Sequence, residues 1–178
     1  SNYNIKIWLI LIFEYNIVKK KRDDNMKRIE LNRNNIIKKI DEGMESVIYI
    51  YKDGSNICCI KLLKKYIELP TQKIEIPEET FENKRKKIEI INNNPLFSDE
   101  VRPISLVYEN GMFLGYTMEL ENYKTADIFD SRKKKIEILR KYKEKIEKFN
   151  EHGIYIGDIS ENNIFITENG IKLCDLDN

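Results

Sequence analysis

Four polar residues, far apart in the chain, have side chains suited to phosphate chemistry: Lys61, Asp158, Asn163 and Asp175. A lysine ammonium can neutralise phosphate oxygens, and carboxylate and amide oxygens are ligands that Mg²⁺ accepts in proteins. An aspartate can also accept the proton of an attacking hydroxyl group. A phosphate-binding lysine, a catalytic aspartate and two metal-binding side chains are together what phosphoryl transfer needs.

Lys61 lies in a run of apolar and β-branched residues that predicts a strand. Alternation along a strand buries every second side chain, so a lysine there needs an anionic partner. Two earlier runs and an Asp53-Gly54 turn make the region a predicted three-stranded antiparallel meander. Its strands are Ile36–Ile37, Val47–Tyr51 and Ile57–Leu63, followed by a polar connection over Lys64–Pro77.

The rest of the chain predicts two helices and two further hairpins. Helical spacing of apolar residues and an acidic first turn after Pro77 favour the first helix, and Asn110-Gly111 favours a tight turn between strands. Asp158 and Asn163 follow the second helix, and Asp175 follows the last strand. The predicted elements are helices Glu78–Asn92 and Ser131–His152 and strands Ile104–Tyr108, Met112–Met118, Ile164–Thr167 and Ile171–Cys174.

These motifs, in this order, resemble those of protein kinases. The segment Cys58–Lys61 resembles the kinase Val-Ala-Ile-Lys motif, with Cys59 at the alanine position. Asp158 and Asn163 keep the spacing of the catalytic-loop motif His-Arg-Asp-x-x-x-x-Asn. Asp175–Asp177 stands where kinases have Asp-Phe-Gly. The resemblance extends roughly from residue 35 to the last residue of the sequence.

The resemblance implies an α+β, protein kinase-like fold with an antiparallel five-stranded N-terminal lobe and the start of a helical C-terminal lobe. It divides the chain into an extension over residues 1–25, an N-lobe with hinge over 26–121 and a partial C-lobe over 122–178. An alternative for residues 1–25 is a strand or helix that packs on the fold. Since kinases continue beyond this point, we expect a fragment with weak activity of its own.

The same resemblance assigns roles to single residues, with ATP and Mg²⁺ as cofactors. Lys61 and Asp158 are the expected catalytic residues, and Asn163 and Asp175 are the expected metal ligands. A glutamate of the first predicted helix is expected to pair with Lys61, with Glu82 as the candidate and Glu78 and Glu79 as alternatives. The expected ATP-binding residues are Gly43, Ile48, Cys59, Lys61, Glu82, Met118, Glu119, Glu121 and Asp127.

The chain also departs from the kinase pattern. Asp41 and Ser46 stand where the phosphate-binding loop has two of its glycines, Gly157 replaces the arginine before the catalytic aspartate, and Ser160 replaces a lysine. Asp177 replaces the glycine of Asp-Phe-Gly, and its carboxylate is expected to assist metal binding. These departures leave two alternatives to a protein Ser/Thr kinase: a small-molecule kinase of the aminoglycoside-phosphotransferase type, or a pseudokinase that only binds nucleotide.

The overall composition excludes some classes of binding partner. With 31 basic and 30 acidic residues, the net charge is only +1, which argues against a dedicated nucleic-acid binder. The apolar stretch Ile5–Ile17 is too short to span a bilayer, so no membrane partner is expected. Three cysteines, two of them adjacent, do not make a disulfide framework, and we predict a cytoplasmic protein. ATP and a protein hydroxyl group are the expected partners, and composition does not determine the oligomeric state.

Overall fold

The computed structural model describes residues 26–120, 124–125, 131–158, 160–167 and 170–177. These residues form an α+β structure with a six-stranded mixed sheet, two smaller sheets and two α-helices. The predicted extension over residues 1–25 lies outside the described residues, as do Glu121 and Asp127.

The described residues form eleven β-strands. They are β1 (Lys27–Glu30), β2 (Ile36–Glu42), β3 (Ser46–Asp53), β4 (Asn56–Leu63), β5 (Tyr66–Leu69), β6 (Gln72–Glu75), β7 (Pro103–Glu109), β8 (Met112–Met118), β9 (Lys124–Thr125), β10 (Ile164–Thr167) and β11 (Gly170–Leu173). The main sheet has the strand order β1-β7-β8-β4-β3-β2. Its antiparallel part contains the predicted meander and the predicted second hairpin, which pair through β4 and β8. The other sheets are the hairpin β5-β6 and the three-stranded β11-β10-β9.

The predicted five-stranded antiparallel sheet is wrong in one respect, because β1 adds a sixth strand that runs parallel to β7. Three of the four side chains of β1 are exposed, so its sequence lacks the apolar alternation that predicts a strand. Pairing of the backbone with β7 holds it, and Leu31, immediately after β1, is buried and donates its N–H to the Tyr108 carbonyl at 2.7 Å.

The predicted polar connection over residues 64–77 is also wrong, since it contains the hairpin β5-β6. Most of its side chains are exposed, which hides the strand pattern. Cross-strand pairs stabilise it instead: Ile67 lies opposite Ile74, and Lys73 lies 4.3 Å from the ring centre of Tyr66 and 3.5 Å from Glu68.

The two helices are α1 (Glu78–Asn93) and α2 (Arg132–Glu151), and each end lies within one residue of its predicted position. Pro77 precedes α1 without a side-chain cap, and two glutamates in its first turn complement the helix dipole. Gly153, at φ +72°, follows the end of α2, where a left-handed residue commonly terminates a helix. No helix in the described residues is both long and apolar enough to cross a membrane.

Three apolar clusters hold these elements together. The first cluster lies on one face of the main sheet. The second cluster lies on the other face, where α1 packs against the sheet. The third joins the ends of α1 and α2 to β10 and β11, with the rings of Phe97 and Phe149 stacked 5.0 Å apart. The buried members are, in turn, Leu31, Tyr51, Cys58, Ile60, Leu62, Val107 and Leu114; Ile88, Leu106, Phe113 and Tyr116; and Ile91, Phe97, Phe149, Ile164, Ile171 and Leu173.

Candidate active site

Strand alternation directs Lys61 toward α1. Ile60 and Leu62 point into the first apolar cluster, so Lys61 between them points to the opposite face, which carries α1. Its cross-strand partner is Tyr116 of β8, and the Lys61 Nζ lies 5.7 Å from the centre of that ring. The neighbouring Gly115 allows this close pairing, because a Cβ atom there would lie 2.0 Å from the Lys61 carbonyl oxygen.

Lys61 is almost fully buried, and two aspartates neutralise it. Its Nζ lies 3.0 Å from Asp177 Oδ1 and also donates to Asp175 Oδ1. The sequence requirement for an anionic partner is therefore met, but by residues that follow β11 and not by a glutamate of α1. The chain positions that form this contact are more than a hundred residues apart.

The predicted pair between Glu82 and Lys61 is wrong. Glu82 lies on the exposed side of α1, where its carboxylate contacts Arg85 at 2.6 and 2.9 Å. The helix is rotated so that Lys84, two positions further on, faces the sheet with a side chain only 12% exposed. Glu78 and Glu79, the alternatives, lie exposed in the first turn of α1.

Asp177 contacts three other side chains of the site. Its side chain is 1% exposed, and it accepts a hydrogen bond from the Tyr116 hydroxyl at 2.7 Å. Oδ1 also contacts Lys61, while Oδ2 contacts the Nζ of Lys84 at 3.3 Å. Both carboxylate oxygens of Asp177 are therefore engaged by protein donors, and the expectation that Asp177 assists metal binding stays a prediction.

These contacts determine which side chains of the site are charged. Burial acts to raise the pKa of Asp177, but the charges of Lys61 and Lys84 and the hydrogen bond from Tyr116 lower it well below its ordinary value. Burial acts to lower the pKa of Lys61, and the two carboxylates reverse this and raise it. Burial raises the pKa of Asp175 despite the nearby Lys61 charge. Burial and the charge of Asp177 raise the pKa of Tyr116, which stays protonated.

Asp158 and Asn163 form the second part of the site. Ser160 caps the 3₁₀ turn Glu161–Asn163 by accepting the Asn162 N–H at 3.2 Å. That turn brings the Asn163 amide back to Asp158, where Nδ2 donates to the carboxylate at 2.9 Å. The kinase-like spacing of these two residues therefore gives a direct contact between their side chains.

The same turn is joined to the segment that carries Asp175. The Cys174 N–H donates to the Asn163 carbonyl at 3.0 Å. Asp175 follows with φ +56°, a left-handed conformation that aspartate tolerates better than most residues. This conformation turns the chain after β11, so that Asp175 and Asp177 both reach Lys61.

An open cleft of about 660 Å³ connects the two parts of the site. Lys61, Asp158 and Asp175 line it together, and so do Gly43 and its neighbours in the turn between β2 and β3. In this turn Gly43 donates its N–H to Ser46 at 2.9 Å. Residues from separate predicted motifs therefore share one cavity.

The other predicted ATP-binding residues lie around β4 and β8. Ile48 lies opposite Lys61 in the sheet, and Cys59 lies opposite Met118. Ile48, Cys59 and Met118 are half-buried, and Glu119, immediately after β8, is exposed. Unlike Lys61, these four residues do not line the 660 Å³ cleft.

The donors suit Mg²⁺, which is commonly held by one or two carboxylates and substrate phosphates. Asp158 and Asp175 offer carboxylate oxygens in the cleft, and the amide of Asn163 binds Asp158 through its nitrogen, which leaves the amide oxygen as the ligating atom. Within the described residues, no three His, Cys, Asp or Glu side chains cluster closely enough to hold a metal by themselves. The set fits a metal whose coordination is completed by phosphate and water.

Sequence reasoning missed the roles of Lys84, Tyr116 and Asp177. A signal existed for Lys84, since it lies close to the apolar stripe of α1, where a charged side chain must find a partner. For Tyr116, the signal was its place opposite Lys61, which requires the strand register.

No family model matches this sequence, and a search of curated proteins finds no match. The resemblance to protein kinases therefore rests on the motif residues and on their arrangement in this molecule.

Proposed function

We propose that this protein is a kinase-like phosphotransferase, with a protein kinase-like fold, that binds ATP and Mg²⁺ in the cleft and transfers the γ-phosphoryl group to a hydroxyl group. The observation that supports this most directly is that Lys61, Asp158 and Asp175, which come from three separate motifs, line one cavity. Asn163, from the second motif, contacts Asp158. A lysine, two carboxylates and an amide around one cleft are the groups that phosphoryl transfer uses.

Each residue has a distinct task in this mechanism. Lys61 neutralises phosphate oxygens, and the Gly43 turn borders the phosphates. Asp158 accepts the proton of the acceptor hydroxyl as its oxygen forms a bond to the γ-phosphorus, while the bond to the bridging oxygen breaks and ADP leaves with the electron pair. Asn163 and Asp175 would hold Mg²⁺, which neutralises charge on the phosphates when bound.

The acceptor that we favour is a serine or threonine hydroxyl of a protein. Gly157 precedes the catalytic aspartate where protein kinases have arginine, so a small-molecule hydroxyl is the alternative acceptor. Positioning of the reactants and stabilisation of charge account for most of the rate in this class of reaction.

A second candidate is a module that binds nucleotide without transferring phosphate. The contact between Lys61 and Asp175 favours it, because a metal ligand that is engaged by lysine must exchange partners before catalysis. The pairing of Glu82 with Arg85 also favours it, because the glutamate is then not available to Lys61.

The test compares the full chain with the Asp158→Asn variant. Nucleotide binding is measured by calorimetry with ATP and Mg²⁺, and transfer is measured with γ-labelled ATP on Ser/Thr peptides and on small hydroxyl compounds. We expect Asp158→Asn to bind ATP like the wild type. We expect its rate of phosphate transfer to fall by at least about 100-fold, because it lacks the general base. Glu161→Gln, an exposed carboxylate change in the neighbouring 3₁₀ turn, is the matched control and should keep both properties.

Three outcomes separate the candidates. Transfer that Asp158→Asn does not slow contradicts the catalytic role of this aspartate. Binding without transfer to any acceptor supports the second candidate. A wild-type chain that binds no nucleotide, with or without Mg²⁺, contradicts both candidates.

A further inference from the structure

Helix α1 presents lysines to the same cleft as Lys61. Lys84 and Lys87 are three positions apart, so they lie on one face of the helix, and both line the 660 Å³ cavity. Lys86, between them in sequence, is exposed and does not line that cavity. The residues that line the cleft therefore include three cations from two elements, β4 and α1.

Asp177 connects the lysine of β4 with the lysine of α1. Lys61 contacts Oδ1 at 3.0 Å and Lys84 contacts Oδ2 at 3.3 Å, so the two ammonium groups bind different oxygens of one carboxylate. Asp177 is itself fixed by Tyr116 and by its burial. Both lysines are thus held in place before any ligand arrives, which lowers the entropy lost on binding.

Lys84 also contacts the turn that borders the phosphate region. Its Nζ lies 3.0 Å from Glu45, whose side chain is 53% exposed. A carboxylate with that exposure can turn to water and release the lysine toward a ligand. Lys84 is therefore fixed on its inner side by Asp177 and can exchange Glu45 for an anion on its outer side.

We propose that Lys84, positioned by Asp177 and supported by Lys87, is a second phosphate-binding cation, so that the cleft selects ligands with at least two adjacent phosphate groups. Lys61 and Lys84 contact different phosphates of a nucleoside diphosphate or triphosphate, and a monophosphate reaches only one of them. This inference rests on the proposed function, because it assigns the phosphates of the same nucleotide.

The experiment compares the affinities of the full chain for ATP, ADP and AMP in the presence of Mg²⁺, measured by calorimetry. The variants are Lys84→Met, Lys87→Met and, as a control with the same charge change on the same helix, Lys86→Met. We expect Lys84→Met to weaken ATP and ADP about tenfold or more and Lys87→Met to weaken them about threefold, with AMP unchanged. Lys86→Met should bind all three nucleotides like the wild type.

Lys84→Arg keeps the charge and should stay within about threefold of the wild type for ADP, as a charge-based contact requires. If Lys84 serves only to neutralise Asp177, Lys84→Met lowers the melting temperature but leaves the ratio of ADP to AMP affinity unchanged, and this overturns the inference. If Lys84→Met does not fold, Lys87→Met serves as the test in its place. An ADP affinity of Lys87→Met equal to that of the wild type then overturns the inference. A wild-type chain that binds ATP but does not prefer ADP to AMP overturns this inference alone, and one that binds no nucleotide overturns the proposed function as well.

Discussion

Asp177 and Glu100 are the two carboxylates that lie buried in the described part of the molecule, and they differ in what they bind. Asp177 contacts Lys61, Lys84 and Tyr116 beside the cleft. Glu100 accepts the backbone N–H of Leu173 at 2.6 Å and pairs with Lys145 of α2. Both carboxylates are buried, and both have hydrogen-bond and ion-pair partners. Burial alone therefore does not identify a functional carboxylate.

The partners separate the two roles. Glu100 joins β11 to α2 through Leu173 and Lys145, and neither Glu100 nor Lys145 lines the cleft. Asp177 binds two lysines that both line the cleft. A carboxylate that links elements of a core stabilises the fold, whereas one that fixes several cleft cations also sets the geometry of ligand binding.

The largest expected effect is that of Asp177→Asn. It leaves Lys61 and Lys84 without their shared charge in a buried site, where removal of one partner costs about 3 kcal/mol of unfolding free energy. We also expect ADP affinity to fall about tenfold, because neither lysine keeps its position. Urea unfolding and calorimetry measure the two effects. A variant as stable as the wild type would show that Asp177 does not hold the lysines.

Glu100→Gln is the matched change at the other carboxylate. The amide oxygen still accepts the Leu173 N–H, and Lys145 can reach water, so we expect a loss of about 1.5 kcal/mol in the same urea experiment. ADP affinity should remain that of the wild type, since Glu100 lies outside the cleft. If Glu100→Gln weakens ADP as much as Asp177→Asn does, the distinction between the two carboxylates fails.

Glu82→Gln tests the glutamate that the kinase resemblance selected. Its pair with Arg85 is exposed, and exposed pairs contribute less than about 1 kcal/mol. We expect a change of about 0.5 kcal/mol or less in unfolding free energy, and no change in ADP affinity. A tenfold loss of ADP affinity would restore Glu82 as the partner of Lys61 in the ligand-bound state.

Cys58 provides a contrast, as a buried ionisable group whose burial is only partly offset by the charge of Lys27. Burial, followed by the negative charges of Asp53 and Cys59, raises its pKa to about 11. The neutral thiol is favoured in the folded state, so this stabilising contribution is complete below the unfolded pKa of about 8.5 and is lost as the pH rises toward 11. Near neutral pH this contribution does not change with pH, because the thiol is protonated in both the folded and the unfolded chain.

Alkylation by iodoacetamide at pH 9.5 measures this shift, because the thiolate is the reacting form. We expect Cys58 in the folded chain to react at least about tenfold more slowly than in the urea-unfolded chain. Equal rates would mean that burial does not suppress ionisation at this position.

Local residue patterns predicted most of the elements around the site. The strand that holds Lys61, the helix α1 and the polar segment from Asp158 to Asn163 are each encoded by neighbouring residues, and the structure contains all three. The strand β1 and the hairpin β5-β6 were missed because most of their side chains are exposed, so pairing with a neighbour rather than apolar alternation forms them.

The partners of the buried charges could not be predicted in the same way. The sequence by itself determined that Lys61 needs an anion, since a lysine in an apolar strand cannot stay unpaired. Only the tertiary structure decided which anion: the rotation of α1 against the sheet exposes Glu82 and buries Lys84, and the left-handed turn at Asp175 brings Asp177 between the two lysines. Such contacts depend on how separate elements pack, and the pattern of neighbouring residues in the sequence does not specify that packing.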